Sequence, residues 1–146
     1  GVQAVEGLSL TGQWVDLGSG AGFPGIALAA QYPEVQVTLI ESRQKRATFL
    51  RQVCLQGKAH NTTILCTRTE HVEGPFDGVI SRAYKPPLLF LEDALRLTTI
   101  GGRAIVMLGE HGSFTIPNNW VLQSEKVYLL SKEHGLRKRW VLERVS

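Results

Sequence analysis

Short apolar runs rich in Val, Ile and Leu alternate along this chain with longer segments whose apolar residues return every three to four positions. A short apolar run bounded by turn residues predicts a buried strand, and the longer period predicts an amphipathic helix. Strands are therefore expected at Gln13–Gly18, Val35–Glu41, Thr62–Cys66, Phe76–Ser81 and Arg103–Leu108, and helices at Pro24–Gln31, Arg43–Gln56 and Pro87–Thr98. Pro24 suits a first helical turn, where its missing N–H costs nothing. Ser42 is placed to cap the second helix and Gly57 to end it, while Gly101-Gly102 supplies a turn before the fifth strand. Strands joined by crossover helices imply a parallel sheet covered on both faces, an α/β architecture. The tail breaks this pattern. Trp120–Leu130 and Lys138–Arg144 read as two more strands, and Ser131–Arg137 between them is too short for a crossover helix. An antiparallel hairpin at one sheet edge is expected there.

The 146 residues fit a single domain long enough to bury a core, and 43% hydrophobic with 20% charged residues is ordinary for a globular protein. No apolar run reaches the roughly 18 residues of a membrane helix, and no charged-then-apolar leader is present. A cytoplasmic protein with no membrane partner is the expectation. The first residue is glycine rather than methionine, so further residues are expected upstream. Cys54 and Cys66 suit a reduced compartment and read as buried small apolar groups. His60, His71, His111 and His134 are scattered, and no Cys–His pair has metal-ligand spacing, so no metal is expected. The net charge of +3 permits nucleic acid as a partner without requiring it.

Candidate chemistry begins in the loop that leaves the first strand, Val15-Asp16-Leu17-Gly18-Ser19-Gly20-Ala21-Gly22-Phe23-Pro24-Gly25. Four glycines in eight residues cost backbone entropy that a mere turn does not need, and they let a ligand approach the backbone closely. Gly20-x-Gly22-x-x-Gly25 also fits a dinucleotide fingerprint, with Glu41 about 20 residues further on. Asp16 favours another ligand, S-adenosyl-L-methionine. A carboxylate at the end of the first strand can order the loop and face the ligand's cationic amino-acid end, whereas it would repel a pyrophosphate. Glu41 can accept ribose hydroxyls in either case.

The longer stretch Val15 to Ala29, with its Phe-Pro-Gly-Ile extension, resembles the first motif of the bacterial 16S rRNA guanine-N7 methyltransferases, once called glucose-inhibited division protein B. Leu39-Ile40-Glu41-Ser42 with Lys45-Arg46 and Phe49-Leu50 is similar to a second block of that family. Thr67-Arg68-Thr69-Glu70 resembles its Ser/Thr-Arg-x-Glu turn, and Phe76 to Ala83 its fourth-strand motif; the likeness runs from about Gln13 to Leu108. The resemblance implies a class I S-adenosylmethionine-dependent methyltransferase (Rossmann-like) fold with a mostly parallel seven-stranded sheet. It implies methyl transfer to guanine N7, with 16S rRNA or the 30S ribosomal subunit as partner. Another RNA or small-molecule acceptor, or an inactive cofactor-binding module, are the alternatives. By position, Gly18 and Phe23 would line the methionine side of the cofactor pocket and Glu41 would hold the ribose, with Asp16 and Gly20 also counted as cofactor-binding. Thr69 and Glu70 would bracket the adenine, and Arg82 would stand at the pocket mouth.

Guanine N7 has an in-plane lone pair and no proton to lose, so positioning and electrostatics suffice and no general base is assigned. After the fourth strand the chain offers Ser81-Arg82-Ala83-Tyr84, with no cysteine nucleophile. Lys45 and Arg46 fall in a first helical turn, where the dipole disfavours cations. They are candidates for RNA phosphates, a solvated helix end being the alternative. Arg137-Lys138-Arg139 forms a second basic cluster, a candidate for RNA contact with a solvated turn as the alternative. Two departures from the family stand out: an N-terminal helical segment is expected to be lacking, and the fifth strand ends Met107-Leu108-Gly109 where the family has Leu-Lys-Gly.

Overall fold

The computed structural model describes residues 5–18, 24–82 and 85–146. Five strands and three helices follow in the predicted order: β1 (Gln13–Leu17), α1 (Gly25–Gln31), β2 (Gln36–Ile40), α2 (Gln44–Gln56), β3 (Thr62–Leu65), β4 (Phe76–Ser81), α3 (Pro87–Leu97) and β5 (Thr98–Gly109). A 3-10 turn at Thr69–His71 replaces any helix between β3 and β4. β6 (Trp120–Ser131) and β7 (Gly135–Arg144) close the chain.

The seven strands form one sheet in the order β3-β2-β1-β4-β5-β7-β6. β1 to β5 are parallel, while β7 runs antiparallel between β5 and β6. The expected hairpin is therefore present, with β6 as the edge strand. This is the class I methyltransferase arrangement that the sequence implied.

Alternation along each strand distributes the core over both faces. Val15, Leu17, Val79, Ala104, Val106, Trp140 and Leu142 meet Phe90, Leu91, Ala94 and Leu97 of α3. Their neighbours Trp14, Val37, Leu39, Ile80, Ile105 and Val141 meet α1 and Cys54 of α2. Helices α1 and α2 thus lie on one face and α3 on the other. The direction of winding reverses between β1 and β4, and an open α/β sheet binds ligands beyond the carboxyl ends of its strands at such a point.

Local differences from expectation have local causes. Ser42 does not cap α2; Arg43 is the capping residue, in extended backbone, and no side chain bonds the helix end. Gly57 does end α2, but the left-handed residue that follows is Lys58, with φ 55°. The pair Gly101-Gly102 is not a turn before β5. The strand begins at Thr98 and passes through both glycines, where its register against β4 shifts between Phe76 and Gly78. An irregular ladder is a usual reason for glycine inside a strand. Cys54 is buried as expected, whereas Cys66 is exposed just beyond edge-side β3. Among the described residues no helix is long and apolar enough to cross a membrane, and no cluster of three or more metal-ligating side chains occurs.

Candidate functional site

Asp16 is fully buried near the end of β1, and its Oδ2 accepts the Gly25 N–H at 2.6 Å. That N–H belongs to the first residue of α1, which the helix itself cannot satisfy. The carboxylate thus pins the two ends of the glycine loop together. Gly25 must lack a side chain, because a Cβ there would lie 2.5 Å from Asp16 Oδ2 and closer still to Leu39 Cδ2. Gly18 opens the loop with φ 68°, in the region that favours glycine. Gly20 and Phe23 lie outside the described residues.

Beyond the carboxyl ends of β1 and β2 lies a cleft of about 580 Å³. Gly18, Glu41, Thr69 and Glu70 all line it, so four of the proposed cofactor residues come together there. Glu41 is only 6% exposed, yet its carboxylate receives no hydrogen bond or ion pair from the described residues. Its backbone is fixed on both sides: its N–H donates to the Leu65 carbonyl, and its carbonyl accepts the Thr67 N–H. Its carboxylate oxygens are not among the buried atoms that lack a partner; they open onto the cleft, where the hydroxyls of a ligand can reach them. The volume also lies within the ordinary range for cofactor pockets.

The rim is basic. Arg46, proposed from sequence for RNA, lines this cleft with Arg43, Arg68 and Lys85, which sequence reasoning had not assigned. Arg43 continues the Lys45-Arg46 run and Arg68 lies inside the Thr67–Glu70 turn, so a signal was present for both. The Arg68–Glu70 pair, 3.9 Å apart and largely exposed, contributes little to stability. Lys45 is exposed on α2 and is not part of the cleft wall.

Lys85 also lines a second cleft of about 190 Å³ at the carboxyl ends of β4 and β5, walled chiefly by Phe90, Val106, Met107 and Leu108. The Lys85 ammonium is 2.8 Å from the Asp93 carboxylate one and a half turns into α3. Ser81, also in this wall, donates its hydroxyl to the Leu17 carbonyl at 2.8 Å and ties the ends of β4 and β1 together.

Arg82 follows β4 directly and is exposed, but neither cleft includes it. The charge of its guanidinium is felt by Tyr128 of β6, as are those of Arg137 and Arg139. Burial pushes the Tyr128 phenol upward, and the three guanidiniums oppose that shift. The Arg137-Lys138-Arg139 cluster is not a solvated turn; it lies within β7. Arg137 donates to the His134 and Leu136 carbonyls of its own hairpin. Lys138 lies over the Trp140 ring at 5.5 Å, 3.9 Å from Glu125. Arg139 is 4% exposed and donates to the Glu6 carbonyl at 2.7 Å, holding the N-terminal segment on the sheet. Burial lowers its affinity for a proton against the pull of the Tyr32 and Tyr128 phenols. A buried arginine offers no surface charge to a phosphate, so the run of three presents fewer exposed cations than its sequence suggested.

Comparison with known proteins places this geometry. Residues 2–134 match the family model described as rRNA small subunit methyltransferase G. A relative from Pseudomonas fluorescens, a ribosomal RNA small subunit methyltransferase G, is 35% identical over 140 residues, 92% of this chain. The chain spans about 65% of the length of that relative. Among solved structures, M. jannaschii TYW2 in complex with AdoMet superposes with a TM-score of 0.67 at 20% identity, over 92% of this chain and 70% of that one. An rRNA methylase from Streptococcus thermophilus gives a TM-score of 0.63 at 18% identity, over 99% and 93%. Both share the fold.

Proposed function

The chain belongs to the rRNA small subunit methyltransferase G family, and from that premise we propose that it transfers a methyl group from S-adenosyl-L-methionine to guanine N7 of 16S rRNA. The observation that carries this reading is Glu41, whose carboxylate receives no hydrogen bond from the described residues and opens onto a cleft that Gly18 also lines. Glu41 would take the ribose hydroxyls, Thr69 and Glu70 would flank the adenine, and Gly18 would let the methionine end lie against backbone. Asp16 would act indirectly, by holding the loop in shape through Gly25. When bound, the cofactor supplies an electrophilic methyl group on a sulfonium.

The protein's part is then positioning. N7 of guanine attacks through an in-plane lone pair and releases no proton, so the site needs no base. Its residues must exclude water and hold the ring in line. The basic rim of Arg43, Arg46 and Arg68, with Lys45 outside it, would meet RNA phosphates. Arg82 and Arg137, on the other side of β4, would extend that contact along the sheet edge.

The direct test uses the full-length protein, 30S subunits and free 16S rRNA, with methyl-labelled cofactor. Label is expected as N7-methylguanine, with calorimetry detecting binding of S-adenosylmethionine and none of NAD. Label on a pyrimidine carbon or an exocyclic amine, or tight NAD binding, would remove the reading. The rim is tested by salt. Removing one cation that binds a phosphate flattens the plot of log affinity against log salt by about one unit. Neutralising Lys45 and Arg46 together is therefore expected to reduce the slope by up to about two units, and Lys45→Ala alone by up to about one. Cofactor affinity should stay constant in Lys45→Ala, because that side chain is outside the cleft wall. An unchanged slope would leave these residues as a solvated helix end.

A further inference from the structure

Two clefts open side by side at the carboxyl edge of the sheet, and Lys85 lines both. The larger is polar and holds Glu41. The smaller is walled by Phe90, Val106, Met107 and Leu108, an apolar slot suited to a flat neutral ring. Its cation comes from the β4–α3 connection and stands at the boundary between the two. Asp93 fixes that cation at 2.8 Å, and the Asp93 side chain is 16% exposed against 41% for Lys85.

We infer that Lys85 is a specificity-determining residue that makes the smaller cleft accept guanine and refuse adenine. The inference rests on the larger cleft being the cofactor's, as proposed above. Guanine presents O6 and N7 as two neighbouring acceptors on one edge, whereas adenine has a donor amine in place of O6. A donor at the boundary between the clefts binds O6 and leaves N7 facing the larger cleft, where the methyl group would be. Adenine in the same pose sets its amine against an ammonium. An ammonium carries three N–H donors, so the pair with Asp93 and a bond to a base oxygen are compatible. The pair also matters for the reaction. The ring gains positive charge as N7 is alkylated, and a lone ammonium beside it would oppose that change. Asp93 offsets the charge of Lys85 while leaving its directional N–H groups in place.

The experiment compares acceptors that differ at one atom. RNA carrying guanine, hypoxanthine (O6 kept, 2-amine absent) or 2-aminopurine (2-amine kept, O6 absent) at the methylated position is given to the full-length protein. Wild type should favour both O6-bearing bases over 2-aminopurine by roughly 10- to 100-fold in kcat/KM, the usual range for one charged hydrogen bond. Lys85→Met, which keeps the aliphatic stem, should bring that ratio close to one by slowing the O6-bearing acceptors. Its thermal unfolding and far-ultraviolet circular dichroism should match those of the wild type, which excludes a folding loss. Lys85→Arg should restore part of the ratio. If Lys85→Met transfers to guanine with the wild-type ratio, the assignment of Lys85 is overturned while the function proposed above stands. If the wild-type protein transfers to a base other than guanine, both are overturned.

Discussion

Replacing Gly25 with alanine is expected to destabilise the protein by about 3 kcal/mol and to abolish cofactor binding at ordinary ligand concentrations. The added Cβ has nowhere to go. It would stand 2.5 Å from Asp16 Oδ2 and nearer still to Leu39 Cδ2, and both side chains are fully buried. Leu39 is held in the core between β2 and the α1 face, so it cannot swing aside without opening a void. Asp16 cannot retreat without giving up its 2.6 Å bond to the Gly25 N–H, which leaves a buried carboxylate and a helix-end donor both worse satisfied. For a chain of this size such a loss corresponds to about 10 °C in Tm. Thermal unfolding and calorimetric titration with S-adenosylmethionine check both parts. A variant that melts at the wild-type temperature and binds normally would mean that the loop does not need the Asp16–Gly25 clasp.

Glu41→Ala should separate the two measurements. Cofactor affinity should weaken by about 1–3 kcal/mol, roughly 5- to 150-fold in Kd, because ligand hydroxyls lose a charged acceptor. Stability without ligand should change little, since the carboxylate opens onto the cleft and no described residue bonds to it. Glu41 backbone bonds to Leu65 and Thr67 do not depend on the side chain, so the β2–β3 register should survive. Loss of affinity with an unchanged or higher Tm marks a binding residue. A fall in Tm with unchanged Kd would mark a structural one.

Much of the site was legible because its signals are local. Asp16, Gly18 and Gly25 fall within ten residues, and the strand-to-helix turn forces them together. Glu41 directly follows its strand wherever that strand is placed in a parallel sheet, and Thr69 and Glu70 follow the next strand by a fixed offset. The burial of Arg139 within the β7 basic cluster was not legible, for the opposite reason. Nothing local says that Arg139 meets the Glu6 carbonyl 133 residues away, or that the charges of Arg82, Arg137 and Arg139 all act on the Tyr128 phenol. Residue type alone puts Cys66 inside, and it is outside because β3 is an edge strand whose neighbouring surface is open.

By itself the sequence determined the element order, the parallel sheet with its terminal hairpin, the glycine loop and the family. Each of these follows from periodicity, turn chemistry or motif spacing, all properties of neighbours along the chain. Only the tertiary structure decided which face each helix covers, that β7 inserts between β5 and β6, and that Arg139 is used inside the fold rather than on its surface. It alone brought Lys85 to the boundary of two clefts, one from the ends of β1 and β2 and one from the ends of β4 and β5. The physical reason is range. Burial and electrostatic environment are set by whatever packs alongside, and in a sheet ordered β3-β2-β1-β4-β5-β7-β6 those neighbours are distant in sequence.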